Sequence, residues 1–201
     1  RKSEFIAIYG RRRVGKTFLV KELFENQFAF RVTGKDNVTT KEQLANFSFA
    51  LNDQLGIDTD ATNWSEAFRL LQKALEKMPN GTKIIFFDEL PWFDTYASNF
   101  ISALEHFWND WASYRSDKLI ACGSATTWML NHVINSRGGL HNRITHNILL
   151  SPFKLHEVEE YFKSQGFYYE RPEIIECYMA MGGVAYYLSL FENNKSVAQN
   201  I

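Results

Sequence analysis

The sequence predicts an α/β fold in which a mostly parallel, five-stranded sheet forms the middle layer of a three-layer sandwich, followed by a small helical lid. Short apolar segments rich in β-branched and aromatic residues alternate with segments whose apolar residues recur at helical spacing, which is typical of βα units. Two of the apolar segments end in polar motifs suited to a ligand, and only helix-forming segments follow residue 151. We therefore predict an α/β core over 1–150 and the start of the lid over 151–201.

The composition is that of a soluble globular protein, because 45% of the residues are hydrophobic and 22% are charged. A formal net charge of -1 means that the chain has no overall excess of positive charge that would indicate nucleic-acid binding. The two cysteines, Cys122 and Cys177, are too few for a disulfide framework or a zinc site. No apolar run approaches the roughly 18 residues of a membrane span, and no signal peptide is visible. These features predict a cytoplasmic protein without a membrane partner.

The first motif, residues 10–17, has the form G-x-x-x-x-G-K-[ST] of a phosphate-binding loop and is called the phosphate loop below. It lies between an apolar segment, 4–9, predicted to be a strand, and a predicted helix over 17–24. The glycines let backbone N–H groups wrap a polyphosphate, and the amino end of the helix adds its dipole. Lys16 is predicted to contact the β- and γ-phosphates, and the Thr17 hydroxyl to bind Mg²⁺. The predicted nucleotide-binding residues are Gly10, Arg11, Arg12, Arg13, Val14, Gly15, Lys16, Thr17 and Phe18; the three arginines are alternatively solvent-facing.

Local signals predict the next elements. A second strand spans 27–33, and Thr39 with Glu42 forms the capping box of a helix that Gly56 ends. One further helix precedes the turn at 79–81. No internal repeat or low-complexity segment interrupts this order.

The second motif follows a buried strand predicted over 83–87, after which come Asp88 and Glu89. Ligands of open parallel sheets bind at the carboxyl ends of the strands, so both carboxylates are expected to lie where they can contact a bound ligand. Asp88 is predicted to hold Mg²⁺ and Glu89 to polarise the attacking water. The alternative is an acidic loop that merely follows a buried strand.

A helix over 98–114 carries aromatic residues that are expected in the core, and a strand over 118–122 follows it. Ser124, just past this strand, is a candidate sensor between Glu89 and the γ-phosphate, with Thr126 as the alternative position. Ser124 is equally well placed to cap a helix over 125–133.

Two arginines, Arg137 and Arg143, lie in a glycine-rich loop before a strand predicted over 145–149. Their permanent planar charge suits a γ-phosphate in the same subunit or in a neighbour's, and the alternative is an ordinary surface position. The histidines lack the spacing and acidic partners of a metal site. Helices are then predicted over 155–164, 172–181 and 184–191.

Taken together, these motifs resemble the prokaryotic ATPases of the AAA+/STAND group, in particular the archaeal-type and Bacteroidetes ATP-binding proteins. The resemblance covers almost the whole chain, including the Leu-Ser-Pro-Phe step that begins at Leu150. By resemblance, Lys16 and Thr17 bind phosphate and Mg²⁺, Asp88 and Glu89 form the Walker B motif, and Ser124 lies at sensor 1. Arg143 matches the arginine of the loop before the last core strand. Ala185 stands where the family has proline in a Gly-Gly-x-Pro turn.

The function predicted from sequence is ATP binding with Mg²⁺-dependent hydrolysis of the β–γ bond, with ATP and Mg²⁺ as cofactors. The alternative is a slow or non-hydrolysing nucleotide switch that controls a DNA- or protein-binding partner. The expected partners are ATP or ADP, a second copy of the chain, and a DNA or protein effector reached through domains outside it. The resemblance and the first residues lead us to expect a piece of a longer protein, truncated at both ends.

Overall fold

The computed structural model of the chain describes residues 2–201. The strands are β1 (Glu4–Tyr9), β2 (Phe28–Thr33), β3 (Ile84–Asp88), β4 (Lys118–Gly123) and β5 (His146–Leu149). The helices are α1 (Lys16–Phe24), α2 (Thr40–Leu55), α3 (Trp64–Lys77), α4 (Phe100–Asp110), α5 (Thr126–Trp128), α6 (Leu155–Ser164), α7 (Arg171–Met181), α8 (Ala185–Leu188) and α9 (Val197–Asn200). Single 3₁₀ turns cover Leu90–Phe93 and Ala112–Tyr114, and a π-helical turn, Met129–Ile134, continues α5.

The five strands form one sheet in the order β2-β3-β4-β1-β5, and every pairing is parallel. The predicted α/β fold with a mostly parallel five-stranded sheet is therefore confirmed, and the sheet is parallel throughout. Because parallel strands end at the same edge, the segments that follow β1, β3 and β4 all leave from one side of the sheet. These are the segments that carry the predicted site residues.

Local capping signals explain where several helices begin and end. Thr39 and Glu42 form the predicted capping box of α2, and Gly56 ends that helix in the left-handed conformation. The helix predicted over 98–114 ends earlier, at Asp110, because the backbone of Trp111 turns out of it. That turn lets the Trp111 indole donate to Glu76 at 2.7 Å.

Two further helices also differ from the prediction. The one predicted over 125–133 forms a single α turn and then the π-helical turn. The one predicted over 184–191 is helical only at Ala185–Leu188.

The chain folds as two compact units. The first contains residues 2–9 together with Thr17–Leu149, and the second contains Gly10–Lys16 together with Leu150–Ile201. The division after residue 149 lies one residue from the predicted domain boundary, but most of the phosphate loop belongs to the second unit.

Each unit has its own core. In the first, one face of the sheet packs against aromatic side chains of α2, α3 and α4, such as Phe47, Phe68 and Phe107. In the second, Phe162 is the centre of an aromatic cluster with Phe167 and Phe191. Among the described residues, no helix combines the length and apolar character that crossing a membrane requires.

Candidate nucleotide site

Within the first unit, Thr17 in the first turn of α1 meets Asp88 at the end of β3. The Thr17 hydroxyl lies 2.8 Å and 3.0 Å from the two carboxylate oxygens of Asp88. The parallel sheet causes this meeting, because α1 follows β1 and Asp88 ends β3 at the same edge. The hydroxyl and the carboxylate thus form one group of oxygen donors.

Burial changes the chemistry of Asp88, which is only 6% exposed. Desolvation is the main cause that raises the pKa of Asp88, and the hydrogen bond from Thr17 opposes it. The negative charge of Glu89 also raises this pKa, although less than burial does. A cation placed here would relieve the cost of burying the charged carboxylate.

Glu89 follows Asp88 in a left-handed backbone conformation, with φ 48°. Its N–H donates to Asp88 at 3.1 Å. Its own Oε2 accepts bonds from the Ser124 backbone N–H at 3.1 Å and from the Ser124 hydroxyl at 2.8 Å. The sheet therefore brings Asp88, Glu89 and Ser124 together, and these three residues with Thr17 are called the acidic edge below.

The two candidate positions for a polar residue after β4 differ clearly. Ser124 binds Glu89 through its side chain and does not cap α5, because the cap position is Ala125 and no side chain bonds there. Thr126 is the first residue of α5, and its N–H donates to the Ser124 carbonyl at 3.0 Å. The geometry favours Ser124 over Thr126 as the residue that touches Glu89.

The predicted phosphate-binding residues Gly10–Lys16 belong to the second unit. Gly10 has φ 142° and Gly15 has φ 100°, values that side chains rarely allow, and a Cβ on Gly10 would lie 2.2 Å from the Leu150 carbonyl oxygen. Lys16 is 5% exposed, and its ammonium donates to the carbonyls of Gly10 and Arg11 at 2.9 Å each. The lysine charge is therefore held within the curve of its own loop.

Arg13 connects this loop to α8 within the second unit. It has φ 70°, its guanidinium donates to the Tyr187 hydroxyl at 2.9 Å, and it lies over the ring of Tyr186, 5.2 Å from the centroid. The Tyr186 N–H donates to the Arg13 carbonyl at 3.1 Å. Ala185 begins α8 beside Gly15, since a Cβ on Gly15 would lie 4.0 Å from the Ala185 Cβ. The turn that carries alanine in place of the family's proline thus packs on the loop.

The remaining predicted residues of the phosphate loop and α1 differ in exposure. Arg11, Arg12 and Arg13 are all exposed, Val14 is buried, and Phe18 is 68% exposed on α1. The side chain of Arg13 contacts tyrosine side chains, whereas the sequence predicts that it contacts either phosphate or solvent.

Arg143 lies near the opposite edge of the sheet from the acidic edge. Two residues after it, Thr145 bonds through its backbone and side chain to Phe5, at the amino end of β1. Phe5 is level with Ile85, three residues before Asp88, and three strand spacings separate β5 from β3. Strand geometry then puts the backbones of Thr145 and Asp88 about 17 Å apart. The loop that carries Arg143 therefore enters β5 at the amino end of the sheet, whereas Asp88 lies at the carboxyl end of β3.

Residues 1–191 match a family described as an ATPase domain predominantly from Archaea. The chain belongs to this family of ATPase domains. A relative in Methanocaldococcus jannaschii, itself an uncharacterised protein, is 28% identical over 188 residues, which cover 92% of this chain and 38% of the relative. The ATPase domain thus spans well under half the length of that relative.

Solved structures share the fold of this ATPase domain. A Walker-type ATPase of Pyrococcus abyssi aligns with a TM-score of 0.65 at 18% identity, over 98% of this chain and 66% of that one. The ORC2 protein of Aeropyrum pernix aligns with a TM-score of 0.61 at 13% identity, over 94% and 55%. A STAND protein of Pyrococcus horikoshii with a tetratricopeptide repeat sensor aligns with a TM-score of 0.51 at 19% identity, over 94% and 27%.

The acidic edge of this ATPase domain has the chemistry of a magnesium site. Mg²⁺ prefers oxygen ligands, is commonly held by one or two carboxylates, and completes its shell with phosphate oxygens and water. Thr17 and Asp88 supply one hydroxyl and one buried carboxylate. Within residues 2–201 no cluster of three or more His, Cys, Asp or Glu side chains is placed to hold a metal by itself. The residues therefore fit Mg²⁺ bound together with a nucleotide.

Proposed function

We propose that this chain is a Mg²⁺-dependent ATPase that hydrolyses the β–γ bond of ATP and couples the reaction to a conformational change. The observation that carries the proposal is the Thr17–Asp88 hydrogen bond with Glu89 beside it. Family membership supports ATP as the nucleotide. The chain has two cysteines, both buried and too few for a disulfide framework, which fits a reducing compartment, and we propose the cytoplasm.

Each residue has a distinct part in this proposal. Lys16 and the amides of the phosphate loop bind the polyphosphate and offset its growing negative charge. Thr17 and Asp88 would hold Mg²⁺, which when bound neutralises charge on the phosphate oxygens. Glu89 orients the attacking water and accepts its proton, and Ser124 fixes the direction of the Glu89 carboxylate.

The contacts of Arg13 support the conformational coupling. The loop and residues 150–201 belong to one compact unit, and Arg13 binds both Tyr186 and Tyr187 within it. A change in loop geometry when phosphate binds would act directly on α8. The nucleotide state thereby has a physical route to the helices that follow.

We further propose that Arg137 and Arg143 act on nucleotide bound by a second copy of the chain. Both side chains are exposed, and the loop that carries Arg143 enters β5 at the end of the sheet opposite the acidic edge. An arginine supplied in trans stabilises transition-state charge in other nucleotide hydrolases. The active form of the protein would then be a homo-oligomer.

A second candidate function is a nucleotide switch whose turnover is slow. The observation that favours it is the Glu89 carboxylate, which is already bound by two donors of Ser124 and follows a left-handed backbone. A carboxylate held in this way is less available to a water molecule. The effector of such a switch would be DNA or a protein, reached through parts of a longer chain; one structure with this fold is an ORC1 protein in complex with DNA.

The decisive experiment measures ADP and phosphate release from MgATP over a range of protein concentrations. Turnover that rises more steeply than the protein concentration supports an ATPase completed by a second copy. Turnover proportional to concentration, in a chain that stays monomeric over the same range, contradicts the trans role of the arginines. Tight MgATP binding without turnover at any concentration contradicts hydrolysis and favours the switch.

A further inference from the structure

The loop over residues 136–143, called the arginine loop here, is fixed to the middle of α4 by the side chain of Glu105. The Leu140 N–H lies 3.4 Å from Glu105 Oε1, a long hydrogen bond. One helical turn further on, the Asn109 amide donates to the Gly139 carbonyl at 2.8 Å. Two side chains of one helix therefore determine the path of this loop, and all these residues lie in the first unit.

The side chain of Glu105 lies close to both glycines of the arginine loop. A Cβ on Gly138 would lie 2.9 Å from Glu105 Oε1, and one on Gly139 would lie 3.0 Å from Oε2 and 3.2 Å from the Glu105 Cβ. Neither glycine has a positive φ, so the backbone itself does not require glycine at these positions. The Glu105 carboxylate therefore approaches the loop backbone closely at both glycines, and a side chain at either position would have to displace it.

The anchoring holds one side of the loop and leaves the other side exposed. Ser136 and Leu140 are buried, with exposed fractions of 7% and 0%. The Ser136 hydroxyl accepts from the Gly138 N–H at 3.1 Å, which tightens the turn. Arg137 and Arg143, in contrast, are exposed. A loop of this kind presents two guanidinium groups outward on a fixed backbone.

We propose that Glu105 is a positioning residue for the ATPase reaction: by fixing the arginine loop on α4, it orients Arg137 and Arg143 toward a polyphosphate bound to a second copy of this chain. The inference rests on the proposed function. Preorganised charge lowers a barrier more than mobile charge does, because its orientation costs nothing at the moment of reaction. Glu105 itself touches neither nucleotide nor water in this proposal.

The test is a mixing experiment with the whole chain and three variants. Glu105→Ala retains its own nucleotide site but has a misplaced arginine loop, and we expect about tenfold slower turnover with MgATP affinity unchanged. Lys16→Ala cannot bind ATP but carries an intact arginine loop. Mixing these two impaired variants should raise turnover several-fold above that of either alone. Arg143→Ala should be rescued by Lys16→Ala in the same way, whereas Glu105→Ala and Arg143→Ala should not rescue each other.

Controls separate positioning from a general loss of structure. Asp110→Ala removes an exposed carboxylate from the same helix, where it pairs with the exposed His106, and should leave turnover unchanged. Glu105→Gln retains an oxygen that can accept the Leu140 N–H and should restore part of the activity. Gly139→Ala should slow turnover by pushing the Glu105 carboxylate aside, and adding it to Glu105→Ala should cause little further loss.

Three results would overturn the role of Glu105. They are full turnover by Glu105→Ala, weaker MgATP binding by this variant, and a mixing experiment in which Lys16→Ala rescues Arg143→Ala but not Glu105→Ala. Absence of turnover in the wild-type chain would instead contradict the proposed hydrolysis. In that event sedimentation still tests Glu105, since MgATP-dependent association of two copies should weaken in Glu105→Ala and not in Asp110→Ala. Equal association of these two variants would then refute the inference.

Discussion

The acidic edge and residues 10–16 of the phosphate loop belong to different structural units and are held in different ways. In the acidic edge, side chains bond to one another: Thr17 to Asp88, and Ser124 to Glu89. In the loop, glycine conformations and backbone carbonyls fix the path, and the buried ammonium of Lys16 donates to the main-chain oxygens of Gly10 and Arg11.

Because the two regions are held in different ways, substitutions in them should have different effects. A backbone-built loop binds many phosphate oxygens with amides that no single substitution removes, apart from the one lysine charge. A network of four side chains, by contrast, depends on each member, because removal of one changes the charge or direction of its neighbour. We therefore expect acidic-edge variants to alter turnover and stability, and loop variants to alter affinity.

The largest expected effect is that of Glu89→Gln on turnover. Glutamine cannot accept the proton of the attacking water, so kcat should fall by about 100- to 10,000-fold, whereas the Kd for MgATP should change less than twofold. Phosphate release and equilibrium nucleotide titration measure the two quantities. Glu25→Gln, an exposed position just after α1, serves as the control. Full turnover in the Glu89 variant would remove this residue from its role.

The next effect concerns the loop. Lys16→Ala removes the buried ammonium, and ATP affinity should fall by at least about 100-fold, the loss expected for charge-assisted hydrogen bonds to phosphate. Lys73→Ala, which removes an exposed ammonium on α3, should bind ATP normally. Isothermal titration with ATP measures both variants. An unchanged affinity in Lys16→Ala would contradict the assignment of the phosphate loop.

Ser124→Ala tests whether the acidic edge favours hydrolysis or restrains it. Loss of the hydroxyl leaves Glu89 with one fewer donor, and we expect kcat to fall about tenfold because one hydrogen bond to a charged group no longer directs the carboxylate. Thr126→Ala removes a hydroxyl two residues away and should leave kcat unchanged. Faster turnover in Ser124→Ala would show that Ser124 restrains Glu89, as the switch requires.

Much of the acidic edge could be predicted from sequence, because its signals are local. A run of apolar residues ending in Asp88-Glu89 predicts both the strand and the edge at which it ends. The tyrosine partners of Arg13 could not be predicted, since Tyr187 lies 174 positions away along the chain. The left-handed backbones of Arg13 and Glu89 are likewise imposed by tertiary contacts, because neither residue type favours that conformation by itself.

Asp88→Asn should stabilise the metal-free protein while weakening its response to magnesium. Because burial raises the pKa of Asp88, the folded state binds a proton more readily than the unfolded state does. The contribution of Asp88 to the free energy of unfolding of the wild-type chain therefore falls as the pH rises from the ordinary aspartate pKa, about 3.9, through the folded-state pKa. The loss of this contribution is complete above the folded-state pKa.

The Asp88→Asn variant should lack this fall. At pH 7 in a chelator, a gain of about 1 kcal/mol would raise Tm by about 2–4 °C. Asp53→Asn, at an exposed position on α2, should show no such gain. Thermal melts with and without MgATP measure the effect, and a lower Tm for metal-free Asp88→Asn would contradict it.

The smallest effect is expected for Tyr187→Phe, which removes the hydroxyl that accepts from Arg13 and retains the ring. A net contribution of about 0.5–1 kcal/mol for this exposed bond corresponds to a two- to fivefold loss of ATP affinity, if α8 supports the loop. Tyr168→Phe, at a 91% exposed position in the same unit, is the matched control. Hydrogen exchange of residues 182–191 should become faster in the Tyr187 variant, and ATP should slow it less than in the wild-type chain. Equal protection by ATP in both proteins would mean that the loop is held by its glycines alone, and that its state does not reach α8 through Arg13.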